Sequence, residues 1–216
     1  MTDLHLDILD DARKNIFFKL EAFKKATLGG GTALALQIGH RRSFDFDLFF
    51  PEPIPFSLYA TVQKVLGESP IKLLESSDQL TVKLAAGVEM TFLHYWFKPV
   101  YPVLLTNTVP LFDFRDIATD KAFTIGRRNV WRDYIDLFFL LHGEYLTLSQ
   151  LITDAQKRFG NEFSPKLFLQ QLSFTGDIKD FTVAFTKEPY SPEVVTKYLA
   201  GEVKKYTEEF VSEKMS

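Results

Sequence analysis

The sequence predicts an α+β fold: a small sheet with flanking helices to about residue 105, then a region built almost only of helices. Three observations predict it. Ser43–Phe50 alternates with period 2, and 71–76, 79–85 and 88–95 read as three further short strands. The composition shifts across Lys98–Pro110, a loop with three prolines. Beyond that loop nearly every segment has helical spacing. The expected domains are therefore 1–105 and 106–216.

In the first part, residues 3–26 read as one amphipathic helix, with Leu6, Leu9, Ile16, Leu20 and Phe23 recurring near helical spacing. Thr27-Leu28 is a short apolar piece leading into Gly29-Gly30-Gly31, and Thr32–Ile38 is rich in helix formers. Pro51, Pro53 and Pro55 end the Ser43–Phe50 strand, and Phe56–Leu66 is a helix closed by Gly67. In the second part, helices are expected at Ile117–Ile125, Val130–Leu141, Thr147–Phe159, Ser164–Leu172, Ser191–Leu199 and Glu202–Met215. Ser164-Pro165 and Ser191-Pro192 each pair an N-cap with proline at the first helical position.

Composition bounds the function. With 216 residues the chain can bury roughly 70% of its unfolded surface, and 46% hydrophobic with 25% charged residues is ordinary for a globular protein. Phe is over-used, at 22 residues, so packing should be aromatic. The absence of cysteine removes disulfides, thiolate zinc sites, iron–sulfur clusters and cysteine nucleophiles. No apolar run reaches the roughly 18 residues of a membrane span, and the acidic start Met1–Asp7 lacks a signal pattern, so a cytoplasmic location is expected. A net charge of −3 provides no global attraction to nucleic acid. His5, His40, His94 and His142 have no metal-ligand spacing, and Trp96 and Trp131 are expected in packing.

The densest chemical signal is Gly29-Gly30-Gly31-Thr32, followed thirteen positions after Thr32 by Asp45-Phe46-Asp47. On a strand, residues two apart share a face about 7 Å apart. Asp45 and Asp47 should then point together, with Ser43 on their face, while Phe44, Phe46 and Leu48 enter the core. Two such carboxylates repel unless a cation sits between them, and Mg²⁺ (Mn²⁺ as an alternative) suits a carboxylate pair completed by substrate phosphates. Gly30 and Gly31 at a helix N-terminus can offer backbone N–H groups to phosphate, with the Thr32 hydroxyl as a further donor. His40-Arg41-Arg42, together with Arg127 and Arg128, is the clearest clustering of positive charge and could form a basic rim for a nucleoside triphosphate or an RNA backbone. The expected nucleotide-binding set is Gly30, Gly31, Thr32, Arg42 and Ser43.

Leu28 to Phe49 resembles the first motif of the AbiEii/AbiGii toxin family of nucleotidyltransferases, in the polymerase-β-like superfamily, to which MenT-type toxins are similar. Asp116–Lys121, Arg127-Arg128 and Arg132-Asp133-Tyr134-Ile135-Asp136-Leu137 resemble the family's later motifs. The resemblance implies a small mixed sheet followed by a helical subdomain that completes the active-site cleft. It implies Mg²⁺-dependent transfer of a nucleoside monophosphate from an NTP to an acceptor hydroxyl. It also implies an RNA or tRNA acceptor, a cognate antitoxin and a toxin–antitoxin or phage-defence setting.

Carried over by position, Asp45 and Asp47 are metal ligands, Lys121 contacts phosphates, and Asp133 lies near the reacting centre. A lysine on an Ala-rich helix otherwise reads as solvated, and Asp136 as a structural partner of Arg132. The family commonly has a third carboxylate on a neighbouring strand; here Glu89 and Thr91 share a face, and the register decides between them. Should Thr91 hold that position, Asp133 or the substrate must supply the base. Two other functions fit the same residues: a phosphotransferase acting on a small molecule or protein, and a non-catalytic module retaining the fold.

Overall fold

The computed structural model describes residues 3–128 and 130–215. It divides into two compact units, Met1–Ile117 and Ala118–Ser216, and the division falls inside a helix.

The first unit carries one five-stranded mixed sheet in the order β1-β2-β5-β4-β3, formed by β1 (Thr27–Gly29), β2 (Phe46–Phe50), β3 (Ile71–Glu75), β4 (Gln79–Lys83) and β5 (Glu89–His94). β2 runs parallel to β5, and the other neighbouring pairs are antiparallel. The period-2 reading of β2 holds from Phe46 onward: Phe46 and Leu48 are fully buried and Phe50 nearly so, while Asp47 and Phe49 stay half-buried on the other face. Burying a large apolar side chain completely contributes roughly 1.5–3 kcal/mol, so this alternation fixes which face the carboxylate takes.

Three local expectations are corrected. Residues 3–26 do not form one helix. Asp10 takes an extended backbone and its carboxylate accepts the Arg13 N–H, so α1 begins at Asp11 and ends at Lys19, with 3₁₀ turns at Leu6–Ile8 and Leu20–Phe23. Residues 43–45 precede the ladder instead of joining it, and Phe44 is 38% exposed, its ring under the Arg13 guanidinium at 4.9 Å. Thr27–Gly29 is a true strand whose Leu28 exchanges backbone hydrogen bonds with Pro110 and Phe112.

The helix α2 (Gly30–Ile38) is buried on nearly all sides, as an Ala- and Leu-rich helix beside a sheet should be. α3 (Leu58–Leu66) buries only Leu58, Val62 and Leu66, at helical spacing. α4 (Phe114–Thr124) follows the proline loop, and the buried Asp116 carboxylate at its start takes the Val100 and Tyr101 N–H groups at 2.7 and 3.0 Å.

Among the described residues of the second unit there is no named strand. Its centre is α5 (Trp131–His142), buried from Asp133 to Phe138. α6 (Leu148–Phe159), α7 (Pro165–Leu172) and α8 (Pro192–Met215) follow, and α8 packs against α5, α6 and α7. Ser164 caps α7 through the Leu167 N–H with Pro165 at its first turn. α8 corrects the expected break near Gly201: the helix is continuous there, because an absent side chain costs a helix about 1 kcal/mol and does not stop it. Phenylalanine-rich packing appears as expected, with the Phe138 ring 4.9 Å from Tyr190 and 5.3 Å from Tyr198.

Tyr134 on α5 is 1% exposed, with its hydroxyl 3.2 Å from the carbonyls of Gln171 and Phe174. Burial, reinforced by the charges of Asp177 and Asp133, pushes its pKa from 10.0 to about 12. The stabilisation tied to the neutral phenol is fully present below pH 10.0 and is lost as pH rises toward about 12. Tyr134→Phe should cost about 1 kcal/mol at neutral pH and then show a shallower alkaline decline. Tyr198, also raised by burial, leaves part of that decline in place. Urea midpoints measured across this range test it; an equally steep decline in the variant would remove Tyr134 as its source.

Candidate functional site

The triple glycine links β1 to α2, and each of its positions is filled by a side chain from elsewhere. A Cβ on Gly29 would lie 2.6 Å from the Phe49 ring and 2.9 Å from that of Phe112. One on Gly30, whose φ is +65°, would overlap Asp47 Oδ2. One on Gly31 would overlap the Arg41 guanidinium. The register explains the second contact, since Gly29 faces Asp47 across the antiparallel β1–β2 pair. The Asp47 carboxylate is thereby set against the N-terminus of α2, where Gly29 as N-cap provides no side-chain hydrogen bond to the first turn.

Asp45 is placed by its neighbours. Its carbonyl accepts the Thr32 hydroxyl, which also lies 2.8 Å from Ser43 Oγ. Its Oδ1 accepts the Glu89 N–H at 3.1 Å. Thr32 and Ser43 are buried, at 1% and 6% exposure, and their hydroxyls hold residues 43–45 onto α2. Gly30, Gly31, Thr32, Ser43, Asp45 and Asp47 therefore come together, Asp45 through its backbone carbonyl and Asp47 through its carboxylate. Arg42 is exposed, and it is Arg41, 2% exposed, that packs on Gly31. His40 is buried too, so His40-Arg41-Arg42 does not present a run of surface charge. Of the two arginines, Arg41 and not the expected Arg42 packs at the glycine turn, and two adjacent arginines carry no signal of which one turns inward.

The register also settles the neighbouring strand. Thr91 lies directly opposite Asp47, and Thr81 lies opposite Thr91. Glu89 is paired with Lys83 across β4–β5, with an ion pair of 3.7 Å. Among the described residues no group of three or more His, Asp or Glu is gathered in metal-binding geometry, and the Glu89 carboxylate turns to Lys83. The pair that remains offers hard oxygen donors, the chemistry Mg²⁺ accepts when substrate phosphates supply further ligands.

In the second unit, Lys121 is 5% exposed rather than solvated. Its ammonium lies 2.5 Å from Asp133 and 2.9 Å from Asp136, and Arg128 clasps Asp133 at 2.8 and 3.1 Å. Asp133 and Asp136 share a face of α5, as their spacing requires, but Asp136 pairs with Lys121 and not with Arg132, which is exposed. The adjacent Asp120 turns to Arg158 at 3.2 Å. Trp131 is buried as expected, whereas Trp96, in the first unit, is 63% exposed.

The mixed-sheet α+β fold is shared with two crystal structures from Helicobacter pylori. JHP933 aligns with a TM-score of 0.58 at 14% identity, over 96% of this chain and 97% of that one. A second chain, solved as a proposed nucleotidyltransferase, aligns at 0.59 and 15% identity, over 96% and 99%. At such identities the likeness is one of fold. The uncharacterised protein aq_aa25 of Aquifex aeolicus (strain VF5) is 31% identical over 185 residues, 84% of this chain and 87% of its own length. The family model for the nucleotidyl transferase AbiEii toxin of type IV toxin–antitoxin systems matches residues 17–189. The chain belongs to that AbiEii nucleotidyltransferase toxin family.

The burial of Lys121 sets the cost of its mutation. Removing one partner from a buried ion cluster costs about 3–5 kcal/mol, and Arg128 still compensates Asp133, so Lys121→Ala should destabilise by about 3 kcal/mol. Chemical denaturation followed by circular dichroism measures this. A loss below about 0.5 kcal/mol, the value for an ordinary surface site, would show that the ammonium is solvated.

Proposed function

We propose that the chain transfers a nucleoside monophosphate from an NTP to an acceptor hydroxyl, that the acceptor is RNA, tRNA included, and that a cognate antitoxin restrains it in the cytoplasm. The observation that carries this reading is the Asp47 carboxylate set against Gly30 at the start of α2, with Asp45 two residues away. Phosphate at the N-terminus of α2 would lie beside the Asp47 carboxylate. Mg²⁺ or Mn²⁺ held by Asp45 and Asp47 would supply Lewis-acid polarisation of the phosphoryl oxygens.

The remaining work falls to the chain. Thr32 and Ser43 act as positioning residues that hold the Asp45 segment on α2. Gly30 and Gly31, by lacking Cβ atoms, let the Asp47 carboxylate and the Arg41 guanidinium stand against the start of α2, where Arg41 adds fixed positive charge. The acceptor oxygen bonds to the α-phosphorus as the bond to pyrophosphate breaks. The hydroxyl proton passes to a substrate oxygen or water, because Lys121 and Arg128 already engage both oxygens of Asp133. Lys121 and Asp133 serve in this reading as the ionic lock between α4 and α5.

Incubation with each α-labelled NTP, Mg²⁺ and total cellular RNA tests the proposal. Label should enter RNA from α- and not γ-labelled NTP. Asp45→Asn and Asp47→Asn should each cut transfer by about 10²-fold or more, because charge stabilisation of this kind supplies several kcal/mol. Both should lose the Mg²⁺-dependent rise in melting temperature. Transfer from γ-labelled NTP would establish a phosphotransferase, and a chain showing neither transfer nor Mg²⁺-dependent NTP binding would be a non-catalytic module.

A further inference from the structure

A second feature lies on the same face of the sheet as Asp47. Phe49, two residues further along β2 and about 7 Å away, lines a cavity of 290 Å³ together with Lys25, Tyr95, Trp96, Lys98 and Phe112. Its ring lies 5.1 Å from Tyr95 and 5.5 Å from Phe112. Tyr95 lies 5.5 Å from Phe97, and Phe97 lies 5.6 Å from Trp96. Trp96 is 63% exposed, and the exposed Lys25 and Lys98 have no ion-pair partner among the described residues. Glu52 is the acidic residue of the lining, so the two lysines outnumber it.

From this we infer that the Phe49–Trp96 aromatic run is the stacking platform for the unpaired bases of a single-stranded RNA acceptor, a subsite that rests on the transfer reading above. Every base has a π-face, so aromatic side chains flanked by cations hold single strands with little sequence preference. The platform is continuous with the carboxylate site, because Gly29 accommodates the Phe49 ring just as Gly30 accommodates Asp47. The cavity falls just under the roughly 300 Å³ at which small-molecule sites begin, so it seats a base and not a whole NTP. The ring contacts then carry the aromatic surface outward to an exposed indole, which suits a strand arriving from solvent. A duplex keeps its bases stacked and has none to offer.

Trp96 itself reports the test, because Trp131 is 3% exposed and should respond little. The intact protein, without NTP or Mg²⁺, is titrated with a short single-stranded oligoribonucleotide, with a blunt RNA duplex of the same bases, and with ATP alone. The single strand should quench the fluorescence. Trp96→Ala, followed by fluorescence anisotropy of a labelled strand, should weaken binding about tenfold or more. Trp96→Phe should retain most of the affinity, and Lys98→Ala should lower the salt slope by about 0.7. Equal binding of the duplex, quenching by ATP alone, or unchanged affinity in Trp96→Ala would each overturn the inference. Because binding is read without catalysis, a chain that binds the strand through Trp96 but transfers nothing overturns the function. A chain that transfers while ignoring Trp96 overturns only the subsite.

Discussion

Three consecutive positions without a Cβ atom hold the first unit's chemistry in place. Gly29, Gly30 and Gly31 each receive a side chain from a distant part of the sequence: the Phe49 ring, the Asp47 carboxylate and the Arg41 guanidinium. An alanine at any of them would force one of these groups to move, and at Gly30 the positive φ adds backbone strain to the overlap. Strand, turn and helix start are compressed into this one segment. As a result, an aromatic, an acidic and a basic side chain stand in chain order beside the N-terminus of α2. Thr32, the next residue, secures the other side by bonding the Asp45 carbonyl.

The second unit handles charge differently. Thr119, Asp120 and Lys121 are consecutive on α4, and all three take part in polar contacts below the surface: Thr119 and Asp120 with Arg158, Lys121 with Asp133 and Asp136. Charges out of water are tolerated only when paired and hydrogen-bonded. The spacing of acids on α5 and the basic residues that meet them therefore fix how α4 and α5 can be aligned. A one-residue slip of either helix would leave a buried carboxylate facing apolar side chains, which is a stronger constraint on register than the phenylalanines around it provide.

Much of this was legible in the residues. The alternation of Phe46-Asp47-Leu48-Phe49-Phe50 is local, and so are the Ser-Pro starts of α7 and α8; each survives in the structure because nothing distant competes with it. The family, too, was visible in the glycine and aspartate motif. What could not be read was set by long-range pairing. β1 is three residues long and has no period of its own, and only its ladder to β2 makes it a strand. The choice between Glu89 and Thr91 opposite Asp47 depends on parallel pairing between segments more than forty residues apart. Lys121 sits on a helix whose sequence looks solvated, and its burial follows from acids on α5 that no local pattern connects to it. Phe44 departs from the alternation for a local reason: the ladder begins only at Phe46, because Thr32 engages the polar groups of Ser43 and Asp45.

β2 shows how few residues this arrangement needs. Its Phe46, Leu48 and Phe50 are buried, and the intervening Asp47 and Phe49 remain half-buried, with Asp45 just ahead of them. The inward set provides the burial that makes the register costly to change, since a slip of one residue would drive a carboxylate into the core and expose two phenylalanines. The outward set is thereby held at the spacing of the strand. Stability is carried by one set of alternate residues of the strand, and the proposed chemistry falls to the other. Substitutions on the inward face should therefore damage both together, while those on the outward face can separate them.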